Sequence, residues 1–299
     1  MKTCVIVNPN AGSVGEIETL RERLGHLPDT AVRQTEAEGD ARRIAAEALE
    51  SGAGLIVAAG GDGTLNEVLN GLAADFGRAR LGLLPLGTGN DFARSINVPA
   101  DLDGSLAVLA EGRVKPLDVA LARFGDHERY FINMSAGGFS SMVSEKAHEA
   151  KDRWGPLAYM RAAIGTLPDL QGFKSVFTVN GVERLEMETY NIIVSNGRFV
   201  AAGIPVAPHS RLDDGLLDVM IVPTVTGTQI AVLVPQVLLG RHLDSDLLHF
   251  RKATRLEIVS DPPMTFNVDG EVIGDCPVTF EVLPRALEVV VGPETEEAA

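Results

Sequence analysis

The sequence predicts an α/β domain followed by a β-rich domain read as a sandwich, an α/β plus β class, and three observations carry that prediction. Short apolar runs alternate with helical periodicities through residues 1–122, the pattern of a mainly parallel sheet with helices on both faces. Each of three apolar runs in this half ends on a glycine- or asparagine-rich turn, at Asn8, at Gly60 and at Gly87. Beyond residue 122 the segments become extended, and Asn180-Gly181 stands between two of them, the strongest short hairpin signal. The predicted domains are 1–122 (α/β) and 123–285 (β-rich). Residues 286–299 form a strand returning to the first domain and an acidic tail.

The first strand is the run 2–7, closed by Asn8-Pro9-Asn10-Ala11-Gly12, and Ile17, Leu20 and Leu24 then share one helical face. Residues 31–35 make a second strand, and Asp40–Glu50 a helix with Ile44, Ala45, Ala48 and Leu49 on its apolar side. The run 54–59 is a buried strand leading into Gly60-Gly61-Asp62-Gly63-Thr64, with a helix at 66–72. Arg80–Pro85 is another strand, leading into Gly87-Thr88-Gly89-Asn90. In the second half, strands are expected at 175–179, 182–187, 190–195, 216–222, 254–259, 264–268 and 278–283. Helices are expected at 142–151, 157–167 and 227–239.

With 45% apolar and 22% charged residues among 299, the chain has a globular composition. Its 26 basic and 41 acidic residues leave a formal charge of −15. That balance argues against a nucleic-acid partner, which needs a basic footprint. The two cysteines, Cys4 and Cys276, make no disulfide framework, so a reducing, cytoplasmic setting is expected. The chain opens without a signal-peptide pattern, and no apolar run reaches the ~20 residues that span a bilayer. Any lipid contact would therefore be peripheral.

The chemistry is concentrated in the glycine turns. Glycines let a backbone approach a phosphate, and a helix N-terminus adds N–H donors and a favourable dipole. Gly60-Gly61-Asp62-Gly63-Thr64 and Gly87-Thr88-Gly89-Asn90-Asp91 both follow strands, and ligands of open α/β sheets sit outside the carboxyl ends of strands. Asn90 also suits a plain helix N-cap, and Asp91 a complement to the helix dipole. The chain has no Gly-x-x-x-x-Gly-Lys-Ser/Thr loop and no spaced Gly-x-Gly-x-x-Gly opening the first helix. Phosphoryl transfer needs a divalent metal and a base near the acceptor hydroxyl, and Asp62, Asp91 and Asp118 are candidates. Asp118 alone reads as a strand-end residue. Asp213-Asp214-Gly215 and Asp269-Gly270-Glu271 each read, alone, as a turn. The six histidines are scattered with no metal-ligand spacing, and Ser135, Ser140 and Ser141 look like turn residues.

Taken in order, Asn8-Pro9-x-x-Gly12, Gly60-Gly61-Asp62-Gly63-Thr64, Gly87-Thr88-Gly89-Asn90-Asp91, Asp213-Asp214-Gly215 and Val268-Asp269-Gly270-Glu271 resemble the diacylglycerol kinase catalytic domain family, which includes sphingosine and ceramide kinases. The match runs over 1–285. The first glycine loop is shared with NAD kinases; Gly87–Arg94 and the late Asp-Gly-Glu narrow the family. The resemblance implies a Rossmann-like, NAD-kinase-like α/β domain, a β-sandwich-like domain and an active site in the cleft between them. It implies ATP and Mg²⁺ as cofactors, and phosphorylation of a lipid hydroxyl, diacylglycerol first. Asn8, Gly60, Gly61, Gly63, Thr64, Gly87, Thr88, Gly89 and Asn90 would line the ATP site. Asp62, Asp91 and Asp118 would surround the catalytic Mg²⁺, with Asp269 as general base and Glu271 supporting the base or the metal. A second, structural Mg²⁺ would take the Asp214 carboxylate and the carbonyls of Arg211 and Leu216. The first turn departs from the family in carrying Asn10-Ala11 where many members have serine.

A lipid acceptor needs access to a membrane surface. In 146–173, Lys146, Lys151, Arg153 and Arg161 are interleaved with Trp154, Leu157, Tyr159, Met160, Leu167, Leu170 and Phe173, a composition suited to peripheral membrane contact. The same residues suit an ordinary amphipathic pair of helices packed on the sandwich. Rival readings are an NAD kinase-like enzyme and a non-catalytic nucleotide- or lipid-binding regulator. The choice of lipid and the oligomeric state, a homodimer included, are open at this stage.

Overall fold

The computed structural model describes residues 1–12, 17–24, 29–141, 165 and 170–293. They form two compact units, Met1–Asp118 with Arg285–Ala299, and Val119–Pro284.

The first unit is built on a parallel sheet of β1 (Thr3–Val7), β2 (Thr30–Gln34), β3 (Leu55–Gly60) and β4 (Arg80–Pro85), in the order β2-β1-β3-β4. Every residue of β1 and β3 is buried, as befits central strands of a sheet covered on both faces. Helix α1 (Ile17–Leu24) buries Leu20 and Leu24. Helix α2 (Asp40–Glu50) buries the predicted stripe Ile44, Ala45, Ala48 and Leu49. Helix α3 (Asp62–Gly71) packs on α2 and β3. It begins four residues earlier than the predicted 66–72, so Gly63 and Thr64 lie inside its first turn rather than in a loop. The extended Gly61 (φ −93°, ψ −172°) makes the turn, and Asp62 favours the positive end of the helix. After β4 come a short helix α4 (Asp91–Ser95) and α5 (Leu102–Glu111), whose cap Asp101 accepts from Gly104 N–H at 2.7 Å. The end of the chain closes the sheet, with Val289 beside Leu81 in parallel register.

The chain passes into the second unit through β5 (Val114–Phe124) and returns through β15 (Val278–Val290). The intervening elements are β6 (His127–Phe131), β7 (Met134–Gly138), β8 (Phe173–Val179), β9 (Glu183–Ser195), β10 (Leu217–Pro223), α6 (Gly227–Leu238), β11 (His249–Ala253), β12 (Arg255–Asp261), β13 (Thr265–Val268) and β14 (Glu271–Asp275). Pairing is antiparallel throughout, in the order β14-β13-β7-β9-β8-β12-β15, with β10 also on β9 and β11 on β10. The predicted strands 182–187 and 190–195 are one thirteen-residue strand, β9. Asn180 and Gly181 take left-handed φ values of 52° and 70° in the β8–β9 turn. The Asn180 Oδ1 accepts from Thr254 and Arg255 N–H. One core gathers Phe124, Phe131, Phe177, Phe266 and Phe280; a second gathers Met134, Ile193, Met220 and Leu233. The helices expected at 142–151 and 157–167 lie outside the described residues except for Gly165. None of the described helices is long and apolar enough to cross a membrane.

Candidate active site

The register of the parallel sheet sets the carboxyl ends of three strands side by side. Val7 lies beside Ala59, and Gly60 beside Pro85, so the turns at Asn8, Gly61 and Gly87 leave from adjacent strand ends. The two glycine loops touch. A Cβ on Gly87 would stand 2.4 Å from the Gly61 Cα, and one on Gly60 would stand 2.4 Å from the Thr64 hydroxyl oxygen. Those glycines are required by packing. Gly63 differs, since a Cβ there would meet nothing within 4 Å. The Asn8 side-chain amide donates to Thr64 Oγ1 at 3.3 Å, and its carbonyl oxygen accepts from Asn10 N–H at 2.9 Å. The first turn is thereby tied to α3. Thr88 approaches this turn too, its hydroxyl 3.9 Å from where a Cβ on Gly12 would be.

Asp62 and Asp91 converge on Gly89. A Cβ there would lie 2.8 Å from Asp62 Oδ2 and 3.6 Å from Asp91 Oδ2. Asp62 reaches across to the start of α4 and accepts from Phe92 N–H at 3.4 Å. Burial pushes its carboxyl above the usual carboxylate range, against the backbone N–H groups of Phe92, Asp91 and Asn90, which pull it down. Asn90 stands at the N-cap position with φ 51°, yet its side chain makes no cap bond. It turns back, donating to the carbonyls of Gly87 (2.7 Å) and Pro85 (3.2 Å) and accepting from Gly87 N–H (3.1 Å). The expected capping role falls to Asp62, and Asn90 holds the second glycine loop in shape. Asp118 is not a strand-end residue but sits within β5, fully buried, accepting from Arg285 N–H at 2.7 Å. It ties together the two chain passages at the edge of the first unit.

In the second unit Asp269 and Gly270 form the two-residue turn of the β13–β14 hairpin, with φ values of 46° and 92° and Val268 opposite Glu271. The turn and the candidate site therefore coexist. Asp269 Oδ1 accepts from Met134 N–H at 2.9 Å and Oδ2 from Ile132 N–H at 3.5 Å, while its own N–H donates to the Met134 carbonyl at 2.8 Å. Two backbone N–H groups thus hold the carboxylate, one on each oxygen. Glu271 pairs with the Arg129 guanidinium. Sequence reasoning missed Asn133 and Asn196, which brace the 132–134 segment. Their side chains and N–H groups bond backbone carbonyls far away in sequence, Asn196 to Ile132 and Asn133, and Asn133 to Phe199, which no sequence motif marks. It also missed Glu67, which accepts from Ala41 N–H at 3.0 Å. That bond satisfies the start of α2, where the cap residue Gly39 has no side chain to do so.

Of the residues read as a structural metal site, Asp214 accepts from Leu216 N–H at 3.1 Å on Oδ1, and Lys252 Nζ lies 3.2 Å from Oδ2. Lys252 also reaches Asp218 at 3.2 Å, and the Arg211 side chain bonds Asp213. Both Asp214 oxygens thus have partners, and the Lys252 ammonium is the cation beside the turn. Among the described residues no three His, Cys, Asp or Glu side chains group to hold a metal ion. The proposed membrane segment 146–173 lies outside the described residues except for 165 and 170–173. Phe173 belongs to the buried core of the second unit.

The diacylglycerol kinase catalytic domain matches residues 2–122, and the YegS C-terminal NAD kinase beta sandwich-like domain matches 133–291. A protein of Staphylococcus saprophyticus named diacylglycerol kinase is 32% identical over 290 residues, covering 95% of this chain and 93% of the relative. A protein of Pseudomonas aeruginosa named probable lipid kinase YegS-like is 36% identical over 263 residues, covering 87% and 84%. A solved chain from Bacillus anthracis superimposes with a TM-score of 0.83 at 29% identity, covering 98% of each chain. Another from that organism, described as a diacylglycerol kinase, gives 0.77 at 27%, covering 98% of this chain and 97% of the other.

Proposed function

The chain belongs to the family of the diacylglycerol kinase catalytic domain, and from that premise we propose that it is a lipid kinase. It transfers the γ-phosphoryl group of ATP to a lipid hydroxyl, diacylglycerol being the first acceptor to test, and releases ADP and a lipid phosphate monoester. The observation that carries this reading is the meeting of the two glycine loops beneath the Asp62–Asp91 pair. It puts exposed backbone, a helix N-terminus and two carboxylates at the carboxyl ends of β3 and β4, where a nucleotide phosphate chain would lie.

Gly61, Gly63 and Thr64 cradle the phosphates, with Asn8 and Asn90 fixing the loops around them. Asp62 and Asp91 offer hard carboxylate oxygens side by side, a donor set that fits Mg²⁺, which takes one or two carboxylates and keeps several waters. When bound, that ion would neutralise charge on the transferring phosphoryl group. Asp269 takes the proton of the acceptor hydroxyl as the oxygen–phosphorus bond forms, and Glu271 with Arg129 supports the turn that carries it. Since the transition state of phosphoryl transfer is loose, positioning matters more than base strength. Contact with lipid is peripheral in this reading.

Labelled ATP offered with diacylglycerol, sphingosine, ceramide, polyprenol and NAD, and resolved by thin-layer chromatography, tests the proposal. Label in a lipid phosphate monoester supports it. Label in NADP alone would replace it with the soluble-acceptor reading, and ATP binding without transfer would mark a non-catalytic regulator.

A further inference from the structure

The segment that holds Asp269 is itself held by a second segment, Ser195-Asn196-Gly197, at the end of β9. The decisive group is the peptide between Asn133 and Met134. Its carbonyl accepts two backbone N–H groups, from Asn196 at 2.9 Å and Gly197 at 2.7 Å. Its N–H is the Met134 donor to Asp269 Oδ1 at 2.9 Å. One peptide plane is thus gripped at its oxygen by residues 196 and 197 and delivers its hydrogen to the carboxylate. Donation to the carbonyl polarises the same peptide's N–H and strengthens its bond to Asp269. The neighbouring peptide is fixed as well, since the Asn196 side-chain amide donates to the Ile132 carbonyl at 2.9 Å. Asn196 is fully buried, and its own carbonyl accepts from Ser210 Oγ at 3.0 Å.

Position 197 admits no side chain. A Cβ there would stand 2.1 Å from Asn133 Oδ1 and 3.2 Å from Asn133 Cα. The Asn133 oxygen cannot simply swing aside, because its amide nitrogen is committed to the Phe199 carbonyl at 2.9 Å. Gly197 carries no positive φ, so the requirement for glycine here is the close approach and not backbone conformation.

We propose that Asn196 and Gly197 are positioning residues for the base, acting through the Asn133–Met134 peptide to aim and polarise the N–H that holds Asp269. The proposal rests on the reading of Asp269 as general base. It adds a pair of residues, far from it in sequence, on which its orientation and basicity depend.

The test is steady-state kinetics across pH on Gly197→Ala, on Gly197→Ala with Asn133→Ala, and on Asp269→Asn. Gly197→Ala is expected to lower kcat about 10- to 100-fold, the cost of displacing a reacting group by about 1 Å. The KM for ATP should stay within twofold. The acidic limb of the kcat profile should move to higher pH, since a carboxylate that loses a donor is more easily protonated. Adding Asn133→Ala removes the atom that the new methyl strikes, and should return both kcat and the limb most of the way. An unmoved acidic limb in Gly197→Ala, or no recovery in the double variant, would overturn the proposal. Should Gly197→Ala not fold, Asn196→Ala adds no atoms and removes the side-chain donor that fixes the neighbouring Ile132 carbonyl; an unmoved acidic limb there would likewise overturn the proposal. Wild-type turnover by folded Asp269→Asn would remove the base reading itself. Asp269→Asn inactive with Gly197→Ala unshifted would remove only the positioning role.

Discussion

Gly63→Ala separates a glycine kept for a ligand from a glycine kept for packing. Gly63 lies in the first turn of α3, its φ is not positive, and a Cβ there meets nothing within 4 Å. The methyl therefore enters open space in the ligand-free protein. Alanine is favoured over glycine within a helix by about 0.5–1 kcal/mol. At about 2–4 °C per kcal/mol for a protein of this size, the melting temperature should rise by about 1–4 °C. In the proposed cradle the same methyl would project where a phosphate approaches the backbone. Moving that phosphate by about 1 Å should weaken ATP binding at least about tenfold and cost up to about 100-fold in turnover. Differential scanning calorimetry of the ligand-free protein and titration calorimetry with ATP read the two effects independently. A lower melting temperature would show that the space is not open. Unchanged ATP affinity would show that no phosphate lies against Gly63, and would refute its place in the cradle.

Three further expectations follow from the same geometry. Gly87→Ala, whose Cβ would lie 2.4 Å from the Gly61 Cα, should part the two loops and destabilise the protein by about 1–3 kcal/mol, a fall in melting temperature opposite in sign to that of Gly63→Ala. Asp62→Asn should raise the melting temperature of the ligand-free protein at pH 7 while abolishing transfer. Burial lifts the Asp62 carboxyl above its unfolded value, so the unfolded chain ionises first as pH rises through about 4, and stability is lost from there up to the folded value; the advantage of the variant should vanish below about pH 4. Lys252 is the cation beside the Asp214 turn, so Lys252→Met should lose about 0.5–1 kcal/mol, as half-exposed pairs do. Any Mg²⁺ held by Asp62 and Asp91 acts on both proteins alike, so exchange of Mg²⁺ for EDTA should lower the melting temperature of Lys252→Met more than that of the wild type; an equal response would contradict the assignment.

The first unit was legible because its strands announce themselves. The runs ending at Val7, Gly60 and Pro85 are apolar on both faces and stop at glycine or asparagine, so sheet order and loop position follow from one pattern. The start of α3 was misplaced because Gly63 reads as a helix breaker, although a helix's first turn tolerates it. β5 was read as ending at Asp118, whose charge marks a strand end in sequence, yet the strand continues to Phe124 with Asp118 buried inside it. β9 was split at Glu188 and Thr189, which continue the strand's alternation across a predicted gap. At the site, the loops and Asp269-Gly270-Glu271 were visible as side-chain motifs. What the motifs could not display was the work of backbone groups: Asp62 at the start of α4, Asn90 turned back on its own loop, Asn196 and Gly197 behind the Asn133 peptide. Such roles depend on which carbonyl meets which N–H across long sequence separations, and residue identity constrains that only weakly.

The most direct measurement of the central claim is phosphorus NMR of the purified protein with ATP, Mg²⁺ and diacylglycerol in mixed micelles, run beside folded Asp62→Asn. Loss of the γ-phosphate resonance, with matching growth of ADP and a lipid phosphate monoester in the wild type alone, is the predicted result. Equal transfer by Asp62→Asn, or an ATP spectrum unchanged in the wild type whichever lipid is supplied, would contradict it.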